Sequence, residues 1–465
     1  MSKNILPPST STNPSAAEKL KVREKIGFAF GDAGLGLTNQ FILSFYLIYL
    51  TDVASIPAAS AGTLFLVARL FNGLNDPLTG YFMDNYPLRT SWGKFRSWLL
   101  VATIPASVFV VLMFVIPNTS ITGKLIYLYA VVLIFDLITD FISTPLGSLM
   151  SNVTQNTQER SSIASFRGIA TAIVAILVPV LTLSLKDRFG TPKTGWLFTA
   201  LVFAFLGAVC LLICFKSVKE RVVPKAEDAT YTFREGLRIV MQNRPILILS
   251  IANVFLISYF SIAFAVRIFY FKYNMGNENL LAPIMGIGVL AIFAGMVVSP
   301  LLAKRVGKRL TALAGGTILC AMHVALYFVP ATSLVPVVCV LVGVGIGTGL
   351  LSIMILSLVP DTVEYSEWKT GHRAEAIINS VNTFIFKLGG AVGVAIPGWI
   401  LAATGYVPNA KQSAGALKGI LMSMSIIPAI FVFLTIVALF FYPFDEDQYA
   451  QAISEIAQRK ALPAG

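Results

Sequence analysis

Residues 57–80 read PAASAGTLFLVARLFNGLNDPLTG, a mostly apolar stretch with an arginine at position 69 and an aspartate at position 76. A helix of about 20 apolar residues can cross a bilayer. An ionisable group at membrane depth is costly, and it normally faces the protein interior or a water-filled cavity. Positions 69, 72 and 76 lie on one side of an α-helix. The stretch therefore predicts a polar stripe of Arg69, Asn72 and Asp76 that faces a cavity inside the membrane.

The same apolar character extends along the whole chain. Hydrophobic residues make up 56% of the 465 residues and charged residues 12%, with a mean hydropathy of +0.77. These values predict an all-α membrane protein with twelve transmembrane helices. The predicted spans are 27–50, 57–83, 98–116, 125–150, 162–185, 194–215, 245–271, 281–303, 310–330, 333–359, 374–403 and 416–441.

The distribution of basic residues predicts the orientation. With the N-terminus inside, most of the 35 lysines and arginines fall in the tails and the loops on the inner side. Both termini are therefore expected in the cytoplasm, in a multi-pass protein of the inner (plasma) membrane. The predicted organisation is a disordered tail at 1–24, a six-helix bundle at 25–215, a cytoplasmic central loop at 216–244, a second six-helix bundle at 245–441 and a cytoplasmic tail at 442–465.

Several classes of function are not supported by the sequence. The net charge of +12 is explained by this topology and by an anionic inner leaflet, and no aromatic-rich basic module indicates nucleic-acid binding. The four cysteines and two histidines lack the spacing of metal ligands. Neither a nucleophile motif nor a phosphate-binding loop indicates an enzyme. We therefore expect no cofactor and no metal other than a transported Na⁺, contact with membrane lipid, and no obligate protein partner.

Sequence landmarks of the first half recur in the second half at nearly one separation. The pairs are 93–96 (GKFR) with 307–309 (GKR), Pro145 with Pro360, and Arg160 with Arg373. Parallel repeats of six helices describe the two halves of a major facilitator transporter, whose site lies between the halves near the middle of the membrane. We therefore predict the major facilitator fold.

A second acidic stripe lies in the predicted fourth helix. Asp136 and Asp140 share one face of that helix, and Asp140 is expected at about the same depth as Asp76. Two carboxylates in a low-dielectric cavity cannot both stay ionised cheaply, so we predict that they hold a proton or Na⁺ with Asn72 as a further ligand. The alternative is that Asp76 or Asp140 pairs with an intramembrane arginine and only fixes helix packing.

The second half has a buried lysine, Lys387, but no acid at the positions equivalent to Asp76 and Asp140. We expect this lysine either to contact a polar solute or to pair with a buried carboxylate. Arg267, near the outer end of the seventh span, is interpreted as a snorkelling or gate residue. The candidate substrate-binding residues are Asn39, Gln40, Ser143, Arg167, Asn382, Thr383 and Lys387.

Charged residues in two cytoplasmic loops predict a gate. One group follows the second helix and the other surrounds the loop between helices ten and eleven. We expect charge pairs between these groups to stabilise the state that is open to the outside. The predicted gate residues are Asp84, Arg89, Lys94, Arg96, Asp361, Glu364 and Arg373.

Several motifs together resemble the glycoside/pentoside/hexuronide:cation symporter family of the major facilitator superfamily, the family of melibiose permease. They are 31–32 (GD), 49–53 (YLTDV), 62–69 (GTLFLVAR), 75–77 (NDP), 92–96 (WGKFR), 361–365 (DTVEY) and 387–390 (KLGG). The resemblance spans about residues 25–445. It implies that Asp76 belongs to a cation site, that Lys387 belongs to a polar network between sugar and cation, and that Arg167 lies beside the sugar.

The chain also departs from the melibiose permease pattern. An acid of helix II is replaced by Asn72, whereas a helix IV threonine is replaced by Asp140, so a carboxylate has moved from one wall of the cation site to another. Sugar-binding aspartates are replaced by Gly36 and Ser143, and a tryptophan by Gly147. The resemblance therefore implies cation-coupled symport, with H⁺ or Na⁺, of a sugar, glycoside or hexuronide. The alternatives are a sodium-dependent lysolipid transporter and, from another class, a membrane receptor or enzyme.

Overall fold

The structure is a computed structural model that describes residues 20–85, 92–153, 157–219, 238, 240–371, 375–444 and 446–461. These residues are almost entirely helical, and none of them lies in a β-strand. The helices are α1 Val22–Ile48, α2 Ala58–Asn85, α3 Lys94–Leu112, α4 Ile121–Val153, α5 Thr157–Leu185, α6 Pro192–Ser217, α7 Arg244–Phe269, α8 Leu281–Val306, α9 Lys308–Phe328, α10 Leu334–Thr370, α11 Glu375–Ala403, α12 Ala414–Met424, α13 Ile426–Phe440 and α14 Glu446–Ala461.

The described residues contain eleven helical segments that are long and apolar enough to cross a membrane. Helix α2, which has 28 residues, packs beside α4 and α11 and has the length of a further span. Helices α12 and α13 form one span that is interrupted at Ser425. The prediction of an all-α membrane protein with the major facilitator architecture is confirmed. We call the membrane face at which α1 begins and α10 ends the terminal face, and the opposite one the far face.

The duplication predicted from the sequence appears in local backbone geometry. Gly93 and Gly307 stand immediately before α3 and α9, with φ angles of 103° and 86° that favour glycine. The far-face ends of α1 and α7 both continue as a π-helical turn, Tyr49–Val53 in the first half and Tyr270–Asn274 in the second. Equivalent helices of the two halves thus begin or end in the same way.

Several helices extend beyond the predicted spans on the terminal face. Helix α1 begins at Val22 and not at 27, and α10 continues to Thr370, beyond position 359. Hydropathy marks only the part of a helix that lies in hydrocarbon, whereas polar turns can continue it into water. The predicted C-terminal tail contains α14, which contacts α10 because Trp368 Nε1 donates a hydrogen bond of 2.7 Å to Glu455 Oε2.

The two halves meet along α2 and α11, where glycines allow backbone contact near the far face. A Cβ atom on Gly62 would lie 2.7 Å from the Ala395 carbonyl oxygen, and one on Gly398 would lie 2.6 Å from the Ala58 carbonyl oxygen. Close approach through small residues is a common way to pack helices in membranes. This contact orients the intramembrane polar residues of the two halves toward one another.

Candidate cation and substrate site

Asp140 lies at the centre of a buried polar cluster between α2 and α4. Its two carboxylate oxygens accept hydrogen bonds from Asn72 Nδ2 at 3.0 Å and from Asn75 Nδ2 at 2.9 Å. The Asn75 amide also donates to Thr79 Oγ1 at 3.2 Å. Asp140 is only 2% exposed. The cluster therefore collects a carboxylate, two amides and a hydroxyl, which are oxygen-bearing groups that suit a proton or a hard cation.

The ammonium group of Lys387 on α11 faces the same carboxylate from the other half. Its Nζ atom lies 3.7 Å from Asp140 Oδ1, and the side-chain exposures are 21% for Lys387 and 4% for Asp140. Of the two roles left open by the sequence, pairing with a buried carboxylate is the one present in this structure. The negative charge of Asp140, in the first half, is thereby balanced by the positive charge of Lys387, in the second half.

A small cavity lies one helical turn farther along α4. It is lined by Asp136, Arg69 and Asn39 among others, and its volume is about 20 Å³. A cavity needs roughly 10–15 Å³ to hold one water molecule, so this space has room for a single water. Asn39, predicted as a substrate ligand, therefore lies within reach of the buried charges of α2 and α4.

The other substrate-binding candidates have different surroundings. Arg167 forms an ion pair with Asp32 of α1, in which Nη2 donates to Oδ1 at 3.0 Å, and its guanidinium stacks on Phe28. Gln40 Nε2 donates to Ser44 Oγ at 3.0 Å. The remaining candidates lie on α4 and α11: Ser143 is half-buried, Asn382 accepts from Asn253 Nδ2 at 3.3 Å, and Thr383 is exposed.

Some predicted site residues lie outside the described part of the chain. The backbones of Asp76 and Asp84 belong to α2 and that of Lys94 to α3, but these side chains are not among those described. Arg89 and Arg373 are outside the described residues altogether. Their roles in the cation site and the gate stay predictions.

The described gate residues have partners within their own half. Arg96 Nη2 donates to the Phe215 carbonyl oxygen at 2.5 Å, and Lys308 Nζ donates to Asp361 Oδ2 at 2.7 Å. A hydrogen bond to Glu364 raises the pKa of Tyr449, on α14, above its usual value. A pairing of these acids with the first half in another conformation stays a prediction.

A second inter-half cluster, at the far face, was not predicted. Its centre is Asp52, in the π-helical turn after α1, whose Oδ2 atom accepts a hydrogen bond of 2.7 Å from Lys272 Nζ. Tyr273 and Tyr406 also donate to this carboxylate, and Asn409 Nδ2 donates to the Asp52 carbonyl oxygen. Burial and the Asp52 carboxylate raise the pKa of Tyr406, which keeps its hydroxyl protonated as a donor. We call these five residues the far-face cluster.

A second ion pair joins the halves on the same face. Lys186, after α5, lies 2.6 Å from Glu278, before α8. In this conformation two separate sets of polar contacts, the far-face cluster and the Lys186–Glu278 pair, therefore join the halves at the far face. Asp52 could have indicated the far-face cluster from the sequence, because it is an acid in an otherwise apolar helix end. The residues that bind Asp52 are distant in the chain, so the sequence does not identify them.

Comparison with known proteins agrees with this architecture. A family model described as MFS/sugar transport protein matches residues 27–446. The chain belongs to this family. The uncharacterized symporter YjmB of Bacillus subtilis (strain 168) is 35% identical over 445 residues, which are 95% of this chain and 96% of the relative.

Further members of the MFS/sugar transport family are similar over nearly their whole length. The isoprimeverose transporter of Lactiplantibacillus pentosus is 32% identical and covers 94% of this chain and 92% of its own. The glucuronide carrier protein homolog of Escherichia coli (strain K12) is also 32% identical, with 96% and 97% covered. The chain is thus a multi-pass membrane transporter of the sugar type and not an enzyme.

A solved structure supports the fold alone. The inward-facing, unoccupied bacterial homolog of the human lysosomal transporter Spinster has a TM-score of 0.65 at 12% identity, and the match covers 95% of this chain and 99% of that one. The likeness extends over both halves. It therefore agrees with the major facilitator architecture derived from the helices.

Proposed function

We propose that this transporter is a cation-coupled sugar symporter in which Asp140 binds the coupling ion. The observation that carries the proposal is the contact of this buried carboxylate with Asn72 and Asn75 of its own half and with Lys387 of the other half. Asp140 can accept a proton, or it can bind Na⁺ together with the amide oxygens after the amides rotate. The family resemblance adds Asp76 as a second cation ligand.

Competition for Asp140 explains how ion and sugar become coupled. A cation on the carboxylate neutralises the charge that attracts Lys387, so the ammonium is released to hydrogen-bond a sugar oxygen. Leaving one partner of a buried ion pair unpaired typically costs about 3–5 kcal/mol. This cost opposes the release of Lys387 from Asp140 unless a substrate oxygen accepts a hydrogen bond from the ammonium in place of the carboxylate. The ion and the sugar then favour one another's binding, as reciprocal linkage requires.

The proposed substrate is a sugar, a glycoside or a hexuronide, and the proposed orientation places the terminal face in the cytoplasm. Names of relatives support this range, because they include an isoprimeverose transporter and a glucuronide carrier homolog. The concentration of basic residues on the terminal face supports the orientation. We favour the proton over Na⁺ because a proton needs only the carboxylate itself.

Uptake by membrane vesicles tests the proposal. Vesicles that contain the protein should accumulate a labelled glycoside or glucuronide when an inward proton or Na⁺ gradient is imposed. Asp140→Asn should lower this accumulation at least tenfold and leave exchange of labelled for unlabelled sugar in place. The matched control is Asp187→Asn, because Asp187 is an exposed acid at the far face. Undiminished concentrative uptake by Asp140→Asn would remove Asp140 from the coupling mechanism.

A further inference from the structure

Arg267 of α7 is a further intramembrane cation, and it is half-buried against apolar neighbours. Its Nη1 atom donates to the Met285 sulfur at 2.9 Å, and its guanidinium carbon lies 5.0 Å from the centre of the Phe264 ring. Among the described residues, no carboxylate lies within ion-pair distance of this guanidinium. A guanidinium has five N–H donors, and a thioether is a weak acceptor, so most of its hydrogen-bonding capacity is unused.

The contact with Met285 brings the guanidinium against α8, within the second half. Met285 is buried and stands one turn after the far-face start of α8. A snorkelling position near the membrane surface therefore stays a prediction. An unpaired charge in such surroundings is costly, and intramembrane charges of this kind usually mark a substrate or ion pathway.

Arg267 lines a cavity of about 100 Å³ in the second half. Two hydroxyl groups line the same cavity, those of Tyr259 and Thr348, whose oxygens lie 3.3 Å apart. The volume holds several water molecules, since one needs roughly 10–15 Å³. Whole-ligand pockets are usually about 300–1,000 Å³, so this cavity suits a substituent of a substrate and not an entire sugar ring.

The cavity opens toward the first half. Ala175 of α5 belongs to its lining, and Arg267 also lines an adjoining space bounded by Ser44 of α1 and Pro179 of α5. Ser44 accepts the hydrogen bond from Gln40, which is a candidate sugar ligand. This adjoining space measures only about 10 Å³ in this conformation, so it must widen before an acidic group of a sugar held along α1 reaches Arg267.

We propose that Arg267 forms an anion subsite that binds a carboxylate or sulfonate substituent of the transported sugar. This inference rests on the proposed function and narrows its substrate class to acidic sugars. The planar guanidinium can donate two parallel hydrogen bonds to such an oxyanion. The bound group supplies the negative charge that the described side chains around Arg267 lack.

A pair of probes that differ in one group tests the subsite. Methyl β-glucuronide and methyl β-glucoside have the same ring and differ at C6, where the first has a carboxylate. Dissociation constants are measured for both with the purified full-length protein, with and without Na⁺ and at two proton concentrations. The wild type should prefer the glucuronide at least tenfold. Arg267→Gln should reduce this preference to within twofold and leave glucoside affinity unchanged within about threefold.

Two further variants complete the test. Arg305→Gln removes an exposed arginine at the end of α8 and should keep the full preference. Arg267→Lys keeps the charge without the planar fork, so the preference should fall at least threefold, and this variant decides the question if Arg267→Gln does not fold.

Equal affinity of the wild type for both probes, or a preference that survives in both Arg267 variants, overturns the anion subsite and leaves the sugar symport proposal intact because glucoside still binds. If neither probe binds the wild type under any ion condition, the proposed function is overturned together with the subsite. The two failures are thus distinguishable.

Discussion

Asp140 and Asn72 are near enough to exchange roles, because Asn72 Nδ2 lies 3.0 Å from Asp140 Oδ1. We predict that Asp140→Thr alone abolishes coupling and that Asp140→Thr with Asn72→Asp restores it, since the double variant again has two acids around one ion, counting Asp76. The measurement is gradient-driven uptake into vesicles. The rescue should also alter the choice between H⁺ and Na⁺, because selectivity depends on cavity size and ligand flexibility.

Each outcome of this exchange has a clear meaning. Normal coupling in both the single and the double variant would make Asp140 a structural acid. A single variant that fails and a double variant that also fails would mean that the carboxylate must stand on α4, opposite Lys387. Asn75, the second amide donor to Asp140, remains unchanged throughout, and its hydrogen bond to Thr79 involves neither substituted residue.

Asp52 provides a second prediction at the level of one residue. Asp52→Asn keeps the shape of the side chain but removes the charge that holds Lys272 at 2.7 Å. We expect the far-face ends of the halves to separate more often. A single cysteine at Ser44, below the far-face cluster, should then react several-fold faster with a membrane-impermeant maleimide. Arg188→Gln, which removes an exposed charge on the same face, is the control, and equal reaction rates in Asp52→Asn and wild type would contradict a role in holding the far-face ends together.

Part of the site could be predicted from the sequence, because charges in apolar helices are easy to recognise. Asp140 and Lys387 were selected on that basis, and both lie in the polar cluster. Asn75 was missed as a ligand of Asp140 although it stands three residues after Asn72, on the same side of α2. The Asp32–Arg167 and Asp52–Lys272 pairs join residues far apart in the chain, and helical periodicity does not identify partners on another helix.

At the level of the helices, the glycine contact between α2 and α11 predicts a steric effect. In Gly62→Ala the new methyl group would lie 2.7 Å from the Ala395 carbonyl oxygen, so the helices must move apart. Overpacking of this kind costs about 1–3 kcal/mol. We expect a lower unfolding temperature and faster labelling of the far-face cysteine described above.

Gly286→Ala is a suitable control for that substitution. A Cβ atom on Gly286, in α8, would have no neighbour within 4 Å. Alanine should therefore stabilise α8 slightly, by up to about 1 kcal/mol, through helix propensity. If both alanine variants unfold at the same temperature as the wild type, the α2–α11 contact is looser than the structure indicates.

The order of the membrane spans followed from hydropathy, but the helix ends and the polar helix α14 did not. The sequence predicts a tail for the residues of α14 because they are polar. In the structure, however, the hydrogen bond from Trp368 to Glu455 attaches α14 to α10. Amphipathic helices that pack on a neighbouring helix outside the hydrocarbon have no long apolar run. Their presence depends on tertiary contacts, which a hydropathy pattern does not contain.

For the whole molecule, the acids at the terminal face of α10 provide a test of the conformational equilibrium. Neutralising them in Asp361→Asn with Glu364→Gln should shift the population toward the state open at the terminal face. Asp361 is buried and pairs with Lys308 of its own half in this conformation, so the expected bias comes from the predicted pairs with the first half. Exposed pairs contribute roughly 0–1 kcal/mol, and 1 kcal/mol changes a ratio of two states about fivefold. A single cysteine at Thr383 should therefore be labelled up to about five times faster. Arg305→Gln, which removes an exposed charge at the terminal-face end of α8, is the control, and an unchanged rate in the double variant would count against a gate.

The glycine contact of α2 and α11 also acts as the fulcrum of a lever. Gly62 lies near the far-face end of α2, and the helix continues from there to Asn85. At a rise of about 1.5 Å per residue this arm is roughly 35 Å long, so a tilt of about 10° would displace its other end by roughly 6 Å. Because the pivot is so close to one end, a slight rotation there becomes a wide aperture at the other end. The size of the displacement at the terminal face therefore depends on Gly62 and Gly398, two residues that have no side chain.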